Sequence, residues 1–172
     1  MDYKAFIREV PDFPKPGIVF YDITTLLKDR LAFRSVLNDL VNMYRGKQID
    51  KIVGIESRGF ILGSAMAYQL GTGFVPVRKP GKLPADCFEV KYNLEYGSTS
   101  LAIHRDAIAM GERVLIVDDL LATGGTAAAS VNLVRQLGGE MLGLVVLVEL
   151  EALKGREKLN GCDVRSIISY AS

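Results

Sequence analysis

The stretch VLIVDDLLATGGT, residues 114–126, passes from an apolar run through two adjacent carboxylates, Asp118 and Asp119, into a glycine-rich turn. Its β-branched apolar half reads as a buried strand. The segment GGTAAASVNLVRQL that follows reads as a helix ended by Gly138 and Gly139. A strand feeding through a glycine turn into a helix belongs to an open α/β sheet, where ligands bind at the carboxyl ends of strands. Gly124 and Gly125 let the backbone turn tightly, so that successive N–H groups converge on one anion, and Thr123 and Thr126 add hydroxyl donors. A terminal phosphomonoester suits such a turn. The alternative is an ordinary β-loop-α connection, with glycine for geometry and aspartate for capping. Two carboxylates beside an anion site need a reason of their own.

Working outward, EMLGLVVLVEL from Glu140 reads as a second buried strand, and DVRSIIS from Asp163 as a last one, with a short polar helix near KGREKL between them. Upstream, KIVGIE from Lys51 and FVPVRK from Phe74 read as strands around the helix FILGSAMAYQL, which Gly71 terminates, making a βαβ unit. A first amphipathic helix carries Val36, Leu37, Leu40, Val41 and Tyr44 at helical spacing before Gly46. CFEVKYN and TSLAIHR alternate apolar and polar residues on either side of LEYGS, the pattern of a two-stranded ribbon able to move as an arm. FPKPGIVFYD, with Pro14, Pro16 and Gly17, reads as an irregular segment laid across the domain. The expected fold is therefore α/β, with an open, mainly parallel sheet covered by helices on both faces and joined by right-handed crossovers.

The chain has 172 residues, enough for one core and too few for two ordinary domains. A hydrophobic fraction of 49% with 24% charged residues is that of a folded globular protein. Lys and Arg number 21 against 20 Asp and Glu, so a net charge of +1 offers no broad field for nucleic acid or anionic lipid. No signal-peptide pattern opens the chain and no apolar run is long enough to span a bilayer, which makes the cytoplasm the expected location. Cys87 and Cys162 are expected as free thiols. The single histidine, His104, cannot build a multi-histidine metal centre and is expected on a strand surface.

No Gly-Lys-Ser/Thr follows the glycine turn, and the turn is not a dinucleotide Gly-x-Gly-x-x-Gly, so triphosphatase and dehydrogenase readings both lose support. Asp-Asp at a strand end turning into Thr-Gly-Gly-Thr instead resembles the 5-phosphoribosyl 1-pyrophosphate (PRPP) signature of the type I phosphoribosyltransferases. FPKPGIVFYDIT, GIESRGF, VRKPGKLP, LEYGS and VELEALKGREKL occur in order along the chain, and with that signature they resemble the adenine-specific branch of the family. The resemblance implies one domain over residues 1–172, with residues 1–30 as a base-pocket segment and 80–105 as a flexible catalytic arm.

By that resemblance, Ala122, Thr123, Gly124, Gly125 and Thr126 bind the 5′-phosphate of PRPP and of AMP. Asp118 and Asp119 face the ribose, where carboxylates accept hydrogen bonds from hydroxyls and favour an oxocarbenium-like transition state. Ser57, Arg58, Lys79 and Lys82 attend the pyrophosphate, with a cis peptide between Glu56 and Ser57. Val19, Phe20 and Tyr21 form the adenine pocket, the backbone of Val19 and Tyr21 reading the base edge. Tyr21 departs from the family, whose members commonly carry a basic residue there. Glu95 assists proton movement at the base, and Tyr96 belongs to the closing arm. Mg²⁺ is expected to ride on PRPP and pyrophosphate oxygens, with no dedicated protein cage. The implied partners are adenine, PRPP, AMP, pyrophosphate and a second copy of the chain in a homodimer. A 6-oxopurine enzyme is the nearest alternative. A PRPP-sensing regulator of the same fold is another, disfavoured by the balanced charge and the lack of length for a DNA-binding module.

Overall fold

The computed structural model describes residues 1–93 and 97–171; the expected roles of Glu95 and Tyr96 lie outside the described residues. After a 3-10 turn at Tyr3–Phe6, strands β1 (Arg8–Pro11) and β2 (Val19–Asp22) pair antiparallel, Arg8 opposite Asp22 and Pro11 opposite Val19. This corrects the expectation of a wholly irregular segment. Pro14 and Pro16 sit in the connection, where a missing N–H costs no ladder bond, and β2 finds its partner in a segment with no strand pattern of its own. Asp12 Oδ1 accepts the Gly17 N–H at 2.8 Å to close the connection, which holds a cis Phe13–Pro14 bond. Phe13 packs edge-on against Phe20, ring centres 5.2 Å apart.

Helix α1 (Thr24–Lys28) leads into α2 (Arg30–Asn42), whose first turn is capped by Asp29 accepting the Leu31 and Ala32 N–H groups. Ala32, Val36, Leu37, Leu40 and Val41 form its buried stripe. Strand β3 (Lys51–Ile55), helix α3 (Arg58–Leu70) and β4 (Gly73–Val77) make the expected βαβ unit, and Gly71 ends α3 in the left-handed conformation that a glycine adopts without steric cost. A ribbon of β5 (Cys87–Asn93) and β6 (Ser98–His104) follows, then β7 (Arg113–Leu121), α4 (Gly125–Gln136), β8 (Glu140–Leu150) and β9 (Val164–Tyr170). Two 3-10 turns, Glu151–Leu153 and Gly155–Lys158, replace the polar helix expected near KGREKL. Cys87 and Cys162 are free thiols, and His104 lies at the end of β6, accepting the Ala85 N–H.

The central sheet runs β4-β3-β7-β8-β9, every neighbour parallel. Its strands alternate side chains between two cores. Leu115, Val117, Val145 and Leu147 face α2 and α3, whereas Val114, Ile116, Leu144 and Val146 face α4. The second face is shared with the ribbon, whose root is packed in by Leu101 and Ile103 and tied to the sheet by reciprocal hydrogen bonds between Arg78 and Ala102. That root fixes the ribbon beside the carboxyl end of β4 and against α4.

Candidate active site

Where β7 ends, Ala122–Gly124 carry the chain into α4. Gly124 adopts φ +80°, which an L side chain rarely tolerates, and α4 starts with no side-chain cap. The N–H groups of its first turn therefore lack intrahelical partners and face the cleft. A helix dipole adds only about 0.3–1 kcal/mol toward an anion, so directed N–H donors must supply most of the attraction. The loop is shaped from behind. A Cβ on Gly124 would collide with the Gly155 carbonyl, and a Cβ on Gly155 would collide with the Ala122 carbonyl. Two backbones thus meet with no side chain between them.

Gly155 is held there by its neighbour. Arg156 makes a two-pronged pair with the buried Glu149, both contacts at 2.6 Å, and donates to the Val164 carbonyl at 2.7 Å. Ser166 donates to the same carboxylate at 2.8 Å. These bonds, Arg156's first, hold the Glu149 carboxyl below its ordinary range despite burial.

Asp118 and Asp119 are both buried. Both line the same cleft, yet the two are not equivalent. Asp118 Oδ1 accepts the Asp119 N–H at 2.9 Å, and a Cβ on Gly59 would stand only 2.8 Å from that oxygen, so α3 passes close over the carboxyl. Burial, reinforced by the charge of Asp119, pushes the Asp118 carboxyl well above the usual carboxylate range. Asp119 instead has Arg58 Nε 2.8 Å from its Oδ2, an ion pair whose geometry is not that of a hydrogen bond; the buried Oδ2 makes none among the described residues. It is an acceptor in want of a donor. The Arg58 guanidinium also lies over the Phe20 ring, 4.9 Å from its centre.

Opposite the loop, the Glu56–Ser57 peptide is cis, as the family resemblance implied. Glu56 receives Arg78 through Nε (3.2 Å) and Nη2 (3.1 Å) and the Lys79 N–H at 3.0 Å. The hydrogen bonds from Arg78 lead in holding its carboxyl below the ordinary range. Arg78 also donates to the Lys82 carbonyl at 3.3 Å, so one guanidinium ties the cis turn to the 78–82 loop.

A cleft of about 320 Å³ lies between these parts, lined by Glu56, Ser57, Arg58, both aspartates and the loop through Thr126. Nine of the expected residues line it, Ser57, Arg58, Asp118, Asp119 and Ala122 through Thr126; Lys79 and Lys82 are exposed beyond its lining, and Val19, Phe20 and Tyr21 stand on β2 at its side, joined through Arg58. The Tyr21 ring packs on Tyr170 at 4.3 Å between centres, toward the core. Sequence reasoning missed Arg78, Glu149, Arg156 and the role of Gly155. For Gly155 a signal existed, a glycine inside the quoted LKGREKL segment; for the ion pairs none did, because their partners are distant in the chain.

Residues 25–170 match the family model described as the phosphoribosyl transferase domain. The chain is 61% identical to an adenine phosphoribosyltransferase of Acidobacterium capsulatum, covering 98% of this chain and 93% of that protein. Its structure is similar to that of the adenine phosphoribosyltransferase of Thermoanaerobacter pseudethanolicus, with a TM-score of 0.96, 53% identity and 98% of each chain covered. It is also similar to the Saccharomyces cerevisiae enzyme solved with adenine and an imino-altritol bisphosphate, with a TM-score of 0.89, 44% identity and 95% and 94% of the two chains covered.

Proposed function

The chain belongs to the phosphoribosyl transferase family, and on that premise we infer that it joins adenine to PRPP, giving AMP and pyrophosphate in purine salvage. The observation that carries this reading is the pairing, among the described residues, of a glycine-shaped helix start without a side-chain cap and a buried carboxylate oxygen without a hydrogen bond. The first suits a phosphate and the second a sugar hydroxyl.

In the reaction, N9 of adenine attacks the anomeric carbon as the bond to the pyrophosphate oxygen breaks, and the base loses its N9 proton. Ala122–Thr126 hold the 5′-phosphate through N–H and hydroxyl donors. Asp119 accepts from the ribose and faces the developing positive charge; an attraction at ~4 Å and an effective dielectric of ~20 is about 4 kcal/mol before desolvation. Asp118, held toward its neutral form, orients Asp119 through the backbone N–H. Arg58 and Ser57 take the pyrophosphate side, with Lys79 and Lys82 reaching in from their loop. Arg58, lying between Asp119 and Phe20, ties the sugar to the base. Phe20 offers its ring to adenine, and β2 has one edge without a strand partner among the described residues, which suits backbone recognition by Val19 and Tyr21. Because the Tyr21 ring is taken up by Tyr170, the absence of a basic side chain there leaves that backbone edge intact. Glu95 receives or relays the N9 proton, and Tyr96 belongs to the arm that closes over the reactants.

Among the described residues no group of three potential ligands could cage a metal. Mg²⁺ would be bound mainly by substrate oxygens and water, with Asp118 and Asp119 the aspartates of the cleft lining; when bound, the ion would neutralise charge on the leaving pyrophosphate. No helix among the described residues is long and apolar enough to cross a membrane. The two free thiols suit a reducing, cytoplasmic setting, and a homodimer is the expected assembly, tested by sedimentation. The deciding assay incubates the protein with PRPP, Mg²⁺ and each purine base in turn. AMP from adenine is expected; no AMP, or faster turnover of hypoxanthine or guanine, would overturn the reading.

A further inference from the structure

Among the described residues the end of β5 approaches the phosphate loop, and Tyr92 makes the side-chain contact. Tyr92, near the end of β5, lays its ring on Gly125, where an added Cβ would come within 3.2 Å of Cδ2. Its hydroxyl lies 3.0 Å from the Thr126 hydroxyl. Thr126 has one hydroxyl proton and two lone pairs, and Tyr92 has one proton to give. If Thr126 donates to Tyr92, its proton is spent; if Tyr92 donates, the Thr126 proton is free for an anion at the start of α4. A phosphate there selects the second arrangement, because a donor to a charged oxygen gains about twice what a neutral one does.

We propose that Tyr92 is a positioning residue that acts through Thr126, orienting its hydroxyl proton toward the 5′-phosphate and linking the seating of the β5–β6 arm to phosphate binding. The inference rests on the reading of Ala122–Thr126 as the phosphate site. Gly125 then has a second use besides the turn: it leaves the space in which the tyrosine ring reaches Thr126. Phosphate bound at the loop holds the residue three positions before Glu95 in the chain, so the arm and the sugar phosphate become parts of one binding event.

The test is a double-mutant cycle on the full chain, with AMP dissociation constants from calorimetry and steady-state KM values for PRPP and adenine. Tyr92→Phe keeps the ring on Gly125 and removes only the hydroxyl, so its melting temperature stays close to that of the parent. It should weaken AMP binding and raise the PRPP KM about three- to tenfold, leaving the adenine KM unchanged. Thr126→Ala should weaken AMP binding about tenfold or more. In the double variant the tyrosine hydroxyl should no longer matter, so its affinity equals that of Thr126→Ala alone. An unchanged AMP affinity in Tyr92→Phe beside a weakened Thr126→Ala would overturn the role of Tyr92 and leave the phosphate site standing. Additive losses would overturn the route through Thr126. An unchanged affinity in Thr126→Ala would show that its hydroxyl gives nothing to the phosphate and would overturn this proposal, leaving the backbone N–H cradle standing.

Discussion

On the proposed function, the loop Ala122–Thr126 and the β1–β2 ribbon serve two ends of one substrate pair, and they are built in opposite ways. The loop is backbone packed on backbone, Gly124 against Gly155 and Gly155 against Ala122, with the Glu149–Arg156 pair behind it. The ribbon is side chain packed on side chain: Phe13 against Phe20, Phe20 under Arg58, Tyr21 on Tyr170. A phosphate is the same group in every phosphoribosyl donor, so a rigid cradle of N–H groups serves it without adjustment. A base differs from its rivals by a few edge atoms, and aromatic contacts along an unpaired strand edge can be varied without disturbing the sheet. On that reading phosphate binding rests on the core, and choice of base on its rim.

That contrast can be broken at each end. The largest effect is expected from Gly155→Ala, which must push the loop away from the substrate. With misplacement of about 1 Å costing on the order of 100-fold in rate, kcat/KM for PRPP should fall by about that factor, and steady-state kinetics would show it. A loss under threefold would mean that the loop does not depend on its backing. Phe20→Leu comes next. Losing an aromatic stack of about 0.5–1.5 kcal/mol should raise the adenine KM up to about tenfold while the PRPP KM holds; an equal rise in both would dissolve the division between the two regions.

The smallest effect sharpens the comparison from the stability side. Asp118 has a folded-state affinity for its proton raised by burial and by Asp119, so its charge costs stability as pH rises through the unfolded carboxylate range toward the higher folded value. Asp118→Asn keeps the oxygen that accepts the Asp119 N–H and removes that cost. Its melting temperature near neutral pH should rise by about 2–4 °C for about 1 kcal/mol, and the gain should vanish below about pH 4, where the unfolded carboxyl is also protonated. A variant less stable than the parent at neutral pH would show that the charge is compensated.

How far the sequence could be read follows from the same contrast. β7, the glycine turn and α4 are contiguous, and strand pattern, Gly124 and helix spacing each announce the next piece. The ribbon of β5 and β6 was equally plain, because alternation in CFEVKYN and TSLAIHR is a local property. β1 and β2 were not, since REVP carries no alternation and its pairing with VFYD depends on contacts closed by Asp12, Gly17 and two phenylalanines. The two aspartates read as equals in the sequence. Their difference comes from Gly59 lying close over one and Arg58 beside the other, and both of those residues sit on a helix about 60 positions earlier. The carboxylate pair beside an anion site, odd in the sequence, resolves into one group that burial pushes toward its neutral form and one that faces Arg58 with an oxygen lacking a hydrogen bond among the described residues.

On the proposed function, backbone donors bind the phosphate while Asp119 serves the sugar in the transition state. The measurement that tests it most directly compares kcat with AMP affinity in Asp119→Asn. Losing half of an attraction of about 4 kcal/mol corresponds to about a 30-fold loss of rate, so kcat should fall by at least that factor while the AMP dissociation constant moves only severalfold. Equal losses in kcat and in AMP affinity would contradict the separation of roles.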